Sequence, residues 1–372
     1  MRLCYLANPQ SIHTRRWLEY FVRQGHEVHL LTFYTVFSPI EGVKTHAIFP
    51  SIMDRIQRGR GWLALLFPWR IRKLVQVIEP DVFHAHYISF YGWMAALSGF
   101  HPLALTIWGG DILTDQGAFR FPGNWLTPFS LKRADLITAV SQPLLAIARQ
   151  YVRPATAGHV IRLGVDLNDF NSSSDAQEWR ARLDLDGHPV ILSPRVINPI
   201  YNIHTIVNSM PYVLEQIPNA LFVFKDNTAI GQEGQAYRLQ IRKMITDMKL
   251  DNAVRYVGEV PYPEMAAFYR LADVVVSVPL SDGLPVTVLE AMACGVPVIL
   301  SKLPQLEELI TADNALTVPA QDPQQLASAI IRLLNDQELR QKMITANLAL
   351  IRAHGDFDAE MKKMGKLYEE LI

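Results

Sequence analysis

At 372 residues, 49% of them hydrophobic, the chain is too long for one core and too apolar for disorder, so two domains are expected. Its 35 basic and 36 acidic residues nearly cancel, yet residues 1–165 hold 17 Lys+Arg against 9 Asp+Glu (net +8) and the remainder 18 against 27 (net −9). Only Cys4 and Cys294 occur, both in apolar surroundings, which argues against a disulfide framework or a cysteine metal site and fits a reducing cytoplasm.

The opening run MRLCYLA ends in Asn8-Pro9 and is shorter than a signal-peptide core, and no uncharged run approaches about 18 residues. A soluble or peripheral protein is expected. In the first half MRLCYLA, HEVHLLT, DVFHAH, PLALTIW, DLITAV and HVIRL read as strands, with helical patterns such as Thr14–Gln24 and Gln142–Tyr151 between them. That alternation predicts a parallel sheet covered on both faces, with ligands beyond the carboxyl ends of its strands.

The first such end, Asn8 to His13, lacks the glycines of a dinucleotide fingerprint, which disfavours a hydride-transfer cofactor. Next, Arg55, Arg58, Arg60, Arg70, Arg72 and Lys73 interleave with Trp62, Leu63, Leu66, Phe67 and Trp69. Residues 55–69 are read as a patch facing an anionic membrane or an acceptor, whereas Ile71, Leu74, Val75 and Ile78 follow core spacing. His84 and His86 project to one side of a strand without a Cys or carboxylate cluster beside them, so a hydrogen-bonding role in a cleft is preferred to a metal site. In Trp108-Gly109-Gly110-Asp111 the glycines permit close approach, and Asp111 is expected to be exposed to whatever binds there. No zinc finger, RNA-recognition signature or long basic helix is present, so no nucleic-acid partner is expected.

VIRLGVDLNDF followed by NSSSD marks the exit from the first domain, and the alternation restarts with PVILS, ALFVF, AVRYV, DVVVSV, PVIL and ALTVP. The cleft between two such sheets is the natural active site. Asp184-Leu185-Asp186 reads as a surface turn rather than a metal-binding pair. Arg195, at the carboxyl end of PVILS, offers a permanently charged fork suited to a diphosphate, with Tyr201-Asn202 able to reach the same anion. Gly258-Glu259-Val260 forms another strand-end loop whose backbone could meet a base edge.

The stretch Ser281 to Pro304, SDGLPVTVLEAMACGVPVILSKLP, reads as loop, helix, turn and buried strand. Gly283 and Leu284 lie in the loop, Asp282 is placed as a cap, Pro285 suits the first turn and Gly295 closes the helix. The amides of Val286 and Thr287 would then be free to donate to a phosphate oxygen, with Asp282 and Glu290 flanking them as acceptors for sugar hydroxyls. A capping Asp beside a solvated Glu is the plain alternative. At the C-terminus Met361, Met364, Leu367, Tyr368 and Leu371 form one apolar helical stripe that must dock.

These residues resemble the GT-B glycosyltransferases of the retaining family 4 type (glycosyl transferases group 1). The resemblance rests on Asp282 through Glu290 followed by AMACGVPV, and on DVFHAHY, LTIWGGD, ADLITAVS, VIRLGVDLNDF, SPR and VRYVGEVPYPEMAAFYRLADVVVSVP in order. It implies an α/β chain of two Rossmann-like domains facing a deep cleft: an acceptor-binding domain at 1–166, a nucleotide-sugar domain at 167–355, and a C-terminal helix at 356–372 crossing back to the first domain. It further implies Glu290 on the ribose, Asp282 on the donor sugar, Arg195 on the diphosphate, the amides of Val286 and Thr287 on the distal phosphate, and Val260 near the base.

Three departures stand out: Asp282 in place of a Glu, Ile200 in place of a Lys, and Trp108 where many members have His. The leaving group then depends on Arg195, the helix amides or a cation such as Lys225, and His86 and Asp111 become the substitute catalytic candidates beside Asp282 and Arg195. The function implied is retaining transfer, by front-face attack and with no metal or other cofactor required, from a nucleotide-sugar donor such as a UDP-sugar. The acceptor would be a glycolipid, lipid-linked or polysaccharide species of cell-envelope synthesis, and the enzyme cytoplasmic or peripheral on the inner membrane face. A nucleotide-sugar epimerase and a non-catalytic nucleotide-sugar-binding subunit are the alternatives. Nothing in the sequence indicates an oligomeric state.

Overall fold

The computed structural model describes residues 1–34, 38–48, 66–113, 122–226, 231–283 and 285–372. The chain divides into two compact units, residues 1–163 together with 358–372, and residues 164–357. Most of the patch expected at 55–69, and Leu284 of the candidate site, lie outside the described residues.

The first unit is built on seven strands, β1 (Arg2–Leu6), β2 (Glu27–Thr32), β3 (Val43–Ala47), β4 (Val82–His86), β5 (Leu103–Ile107), β6 (Leu136–Ala139) and β7 (Ala157–Val160). All neighbours are parallel, in the order β3-β2-β1-β4-β5-β6-β7, so the winding reverses at β1, where Leu3 pairs with Val28 on one side and Val82 on the other. The inner strands β4, β5 and β6 are buried at every position, as expected of a sheet covered on both faces. Edge strand β3 is half exposed along VKTHA, and its polar composition explains why no apolar run announces it. Edge strand β7 begins before the HVIRL run, at Ala157. Helix Ile12–Arg23 starts on Ser11, whose hydroxyl accepts from the Thr14 amide.

The C-terminal helix Phe357–Glu369 contributes residues 358–369 to this first unit, its stripe buried at Met361, Met364, Leu367 and Tyr368. Polar bonds fix it as well as apolar contact. The Tyr368 hydroxyl lies 2.5 Å from His84 Nδ1 and 3.1 Å from the Tyr5 hydroxyl, and its ring packs against Phe21 at 5.2 Å.

The second unit carries β8 (Val190–Ser193), β9 (Leu221–Lys225), β10 (Val254–Val257), β11 (Val274–Ser277), β12 (Val298–Ser301) and β13 (Leu316–Val318), parallel in the order β10-β9-β8-β11-β12-β13. Winding reverses at β8, where Ile191 pairs with Phe222 and Val274. Ile191, Phe222, Phe224, Val274, Val276 and Ile299 form its core with Ile203, Ile206, Val207 and Met210 of helix Ile203–Gln216. Helices Pro323–Asn335 and Gln337–His354 complete the layer.

The segments entering and leaving this unit are paired: Val165 donates to the Gly355 carbonyl at 2.6 Å and Phe357 to the Val165 carbonyl at 3.1 Å. Gly164 has φ +55, and a Cβ there would fall 2.6 Å from Phe357 Cα, so a side chain is excluded both by conformation and by space. The NSSSD stretch, residues 171–175, thus falls inside the second unit rather than between the two. Asp184 and Asp186 are exposed on either side of buried Leu185, in keeping with a surface turn. No helix among the described residues is long and apolar enough to cross a membrane.

Candidate functional site

In a doubly wound sheet the loops after the two strands flanking the reversal diverge and leave a crevice. In the second unit those strands are β8 and β11. Arg195 lies two residues beyond β8 and Asp282 five beyond β11, and the structure brings them together: Arg195 Nη2 donates to Asp282 Oδ2 at 2.8 Å, with both side chains largely buried. Arg195 Nη1 also donates to Thr287 Oγ1 at 3.1 Å, and the guanidinium sits 3.9 Å over the Tyr201 ring. A carboxylate, a hydroxyl and an aromatic face thus hold the cation in one orientation.

Helix Val286–Ala293 begins after Pro285, which is extended and is itself the cap residue. Asp282 is not its cap: its Oδ1 accepts from the neighbouring Gly283 amide at 2.8 Å and its other oxygen holds Arg195. The expected capping role is replaced by an ion-pairing one, because three residues separate Asp282 from the first helical position. The amides of Val286 and Thr287 begin the helix, with no intrahelical partner and a partial positive charge. Gly295, at φ +74, donates its amide to the Met292 carbonyl and turns the chain into β12.

Glu290, one turn further along, is buried rather than solvated, and its Oε2 accepts the Tyr269 hydroxyl proton at 2.7 Å. Burial, and then the Glu290 charge, push the Tyr269 phenol well above its ordinary value, which keeps it a proton donor. Lys225 ends β9, half-buried with Nζ 3.9 Å from Met265 Sδ. Burial lowers its pKa, Glu290 and Glu259 pull it up and Arg195 pushes it down, so the ammonium lies within electrostatic reach of the same groups. Val260, beyond β10, is buried while Gly258 and Glu259 are exposed. Asn202 does not turn toward Arg195: it is fully buried at φ 57 and donates to the carbonyls of Val278 and Ala320.

The two catalytic candidates in the first unit are placed differently from expectation. Asp111 is buried, not exposed; Oδ1 accepts from the amides of Trp108 (3.0 Å) and Gly109 (2.8 Å), and Oδ2 from that of Ile88 (2.9 Å). It organises the loop after β5 against the loop after β4, and burial nevertheless pushes its pKa up to about 6. His86 is equally buried, 3.4 Å from Thr14 Oγ1 and packed against Trp17 and Trp108. Burial, and then the charge of His13, lower it to about 3, so it is a neutral imidazole. His84 shares its side of the strand, as expected, but its nitrogens serve Tyr368 and Thr106 (2.6 Å) rather than a cleft. Among the described residues no three His, Cys, Asp or Glu side chains gather as a metal site.

Two participants carry no mark in the sequence. Thr287 stands out only through its backbone amide at a helix start, not its hydroxyl, and Tyr269 sits in an apolar run where nothing marks its phenol as a partner of Glu290. Both act through contacts that cross between elements.

Comparison with known proteins decides the family. Residues 175–348 match the model of glycosyl transferases group 1, and residues 2–141 match that of the glycosyl transferase 4-like domain. The chain belongs to the group 1 glycosyltransferases. D-inositol 3-phosphate glycosyltransferase of Pseudarthrobacter chlorophenolicus is 24% identical over 383 residues, covering 93% of this chain and 86% of that one. The GDP-mannose-dependent monoacylated alpha-(1-6)-phosphatidylinositol monomannoside mannosyltransferase of Corynebacterium glutamicum is 26% identical over 248 residues, 64% of this glycosyltransferase and 62% of the relative. Among solved structures, sucrose-phosphate synthase from Thermosynechococcus elongatus superposes with a TM-score of 0.81 at 21% identity over 100% of this chain and 99% of that one. Anabaena HepE in complex with UDP-glucose gives 0.83 at 19% identity, covering 100% of both chains. Two parallel-sheet Rossmann-like units of seven and six strands, with these neighbours, make this a GT-B glycosyltransferase.

Proposed function

We propose that this glycosyltransferase moves a hexosyl unit, with retention, from a nucleoside-diphosphate sugar, a UDP-sugar foremost, to a glycolipid, lipid-linked or polysaccharide acceptor of the cell envelope. The observation that carries this reading is the placement of Arg195 at the reversal of the second sheet, held between Asp282, Thr287 and Tyr201 beside the amino end of helix Val286–Ala293. A fixed guanidinium and free helix amides are what a diphosphate requires. Support for the donor class comes from the HepE structures, which hold UDP and UDP-glucose. Support for a lipid acceptor comes from the phosphatidylinositol mannoside relative.

In this reading Glu290, fixed by Tyr269, accepts from the ribose hydroxyls, and Val260 and its neighbours border the base. Val286 and Thr287 donate to the distal phosphate, and Asp282 accepts from the donor sugar once the diphosphate has taken Arg195. The C1–O bond to phosphate breaks while the acceptor oxygen bonds C1 on the same face. The acceptor proton passes to the departing phosphate oxygen, giving glycoside and nucleoside diphosphate. Charge growing on that oxygen is met by Arg195 and the helix amides, with no metal or cofactor assigned a step.

Incubation with labelled nucleotide sugars and a cell lipid extract tests it, with the anomeric configuration of the product read by NMR. Transfer with the donor's configuration kept supports the reading. An inverted product removes the retaining mechanism, an altered free nucleotide sugar indicates epimerisation, and binding without consumption of any donor indicates a binding subunit.

A further inference from the structure

The first unit carries a surface that the donor site does not explain. Helices Phe67–Ile78, Phe90–Ser98 and Gly123–Arg133 lie side by side, the middle one packed against both others and tied to the last by Trp93 Nε1 donating to Thr127 Oγ1 at 3.0 Å. Their inner positions, Ile71, Val75, Met94, Ala95 and Leu131, are buried. Their outer positions are apolar to an unusual degree for solvent-facing side chains: Trp69 is 55% exposed, Val77 84% and Trp125 75%, with Leu66, Leu97 and Phe129 also exposed.

Charge on the same layer has one sign. The three helices contain Arg70, Arg72, Lys73, Lys132 and Arg133 and no aspartate or glutamate. The nearest acidic residues in sequence stand beyond the helix ends: Glu79, Asp81, whose carboxylate accepts from the Arg2 amide, and Asp135, which pairs with His101 and Arg153. Lys73 holds its ammonium 4.0 Å over the Trp69 ring, so cation and aromatic project together. Large exposed indoles beside cations, with no carboxylate among the residues of these three helices to repel phosphate, suit the headgroup zone of a bilayer, where the ring buries and the ammonium meets lipid phosphate.

We infer that the outer face of these three helices docks the enzyme on an anionic lipid surface through Trp69, Val77, Trp125 and Phe129, with Arg72, Lys73 and Lys132 meeting the headgroups. The surface rests on the proposed lipid-linked acceptor for its purpose but not for its binding. An acidic protein partner would use the same cations but has less need of scattered exposed indoles, which gain most from entering an acyl boundary.

The full chain is cosedimented with vesicles of phosphatidylcholine alone and of an equal mixture with phosphatidylglycerol, at low and high salt, with nucleoside-diphosphate binding measured in solution alongside. Binding to the mixed vesicles, stripped by salt and weakened at least tenfold in both Trp125→Ser/Phe129→Ser and Arg72→Gln/Lys73→Gln, is expected, since each lost cation is worth about fivefold. Equal binding to both vesicles, no binding to either, or variants that bind like the parent overturns the inference. Arg72 and Lys73 are exposed, so the charge pair should leave the melting temperature unchanged, whereas Phe129 is only 39% exposed; if the aromatic pair fails to fold, the charge pair decides. A chain that binds nucleotide but not vesicles refutes this surface alone, and one that binds vesicles but not nucleotide refutes the donor reading alone.

Discussion

Arg195 and Asp282 form a 2.8 Å ion pair across the reversal point of the second sheet, so the cation proposed to bind a diphosphate is already satisfied by a carboxylate of its own chain. Under the proposed function a donor displaces Asp282 from Arg195, and the released carboxylate then becomes an acceptor for the sugar. Asp282→Ala should therefore separate the two events. Nucleoside-diphosphate affinity, measured by calorimetry, is expected to hold or to tighten by about threefold to tenfold, the net scale of one hydrogen bond, while transfer falls by about a hundredfold. A parallel loss of both would mean that Asp282 serves the fold of the loop instead.

Tyr269→Phe removes the proton donor of a buried carboxylate and leaves Glu290 short of one partner. The expected cost is about 1–3 kcal/mol, divided between a lower melting temperature and weaker nucleotide binding. If Glu290 meets the ribose, a 2′-deoxynucleotide should lose less affinity from the substitution than the ribonucleotide does. Comparison of the two by titration checks this.

Tyr368→Phe breaks the contacts of the C-terminal helix with His84 and Tyr5, all fully buried. Loss of about 1–3 kcal/mol is expected, concentrated in this helix. Hydrogen exchange should show residues 358–372 losing protection before β4 does.

Acid should act on the same cluster. Burial lowers His84 well below the ordinary imidazole value and lowers His86 to about 3, from 6.5. A base whose folded pKa is depressed favours the fold when neutral, so this stabilisation is present above about 6.5 and is lost as pH falls toward about 3. Asp111, raised from 3.8 to about 6, has the opposite sign: its contribution is present below 3.8 and lost by about 6, which offsets part of the histidine effect at the acid end. Thermal melts taken downward from neutral pH should show a falling melting temperature, with a shallower fall in His86→Gln.

Much of the architecture was readable because parallel strands buried at every position are mostly apolar, and LALTI, VILS and VVVS announce themselves in that way. The polar edge strand β3 offered no such run. Arg195, Glu290 and the amides of Val286 and Thr287 could be placed near one another from strand ends and helical spacing. The Asp282–Arg195 bond could not, since a carboxylate just before a helix reads first as a cap, and only the fold brings it to the end of β8. Asp111 shows the converse: beside two glycines it looks ligand-facing, but its oxygens are consumed by three backbone amides of loops that only folding brings together.

The most direct measurement is consumption of labelled nucleotide sugars by the parent chain, Arg195→Met and Glu290→Gln, each with its affinity for the matching nucleoside diphosphate. The parent should consume one donor in the presence of acceptor. Arg195→Met should lose about tenfold to a hundredfold in diphosphate affinity with nucleoside affinity unchanged, and both variants should transfer at least about a hundredfold more slowly. Donor consumption that survives both substitutions would contradict the placement of the donor at the β8–β11 reversal.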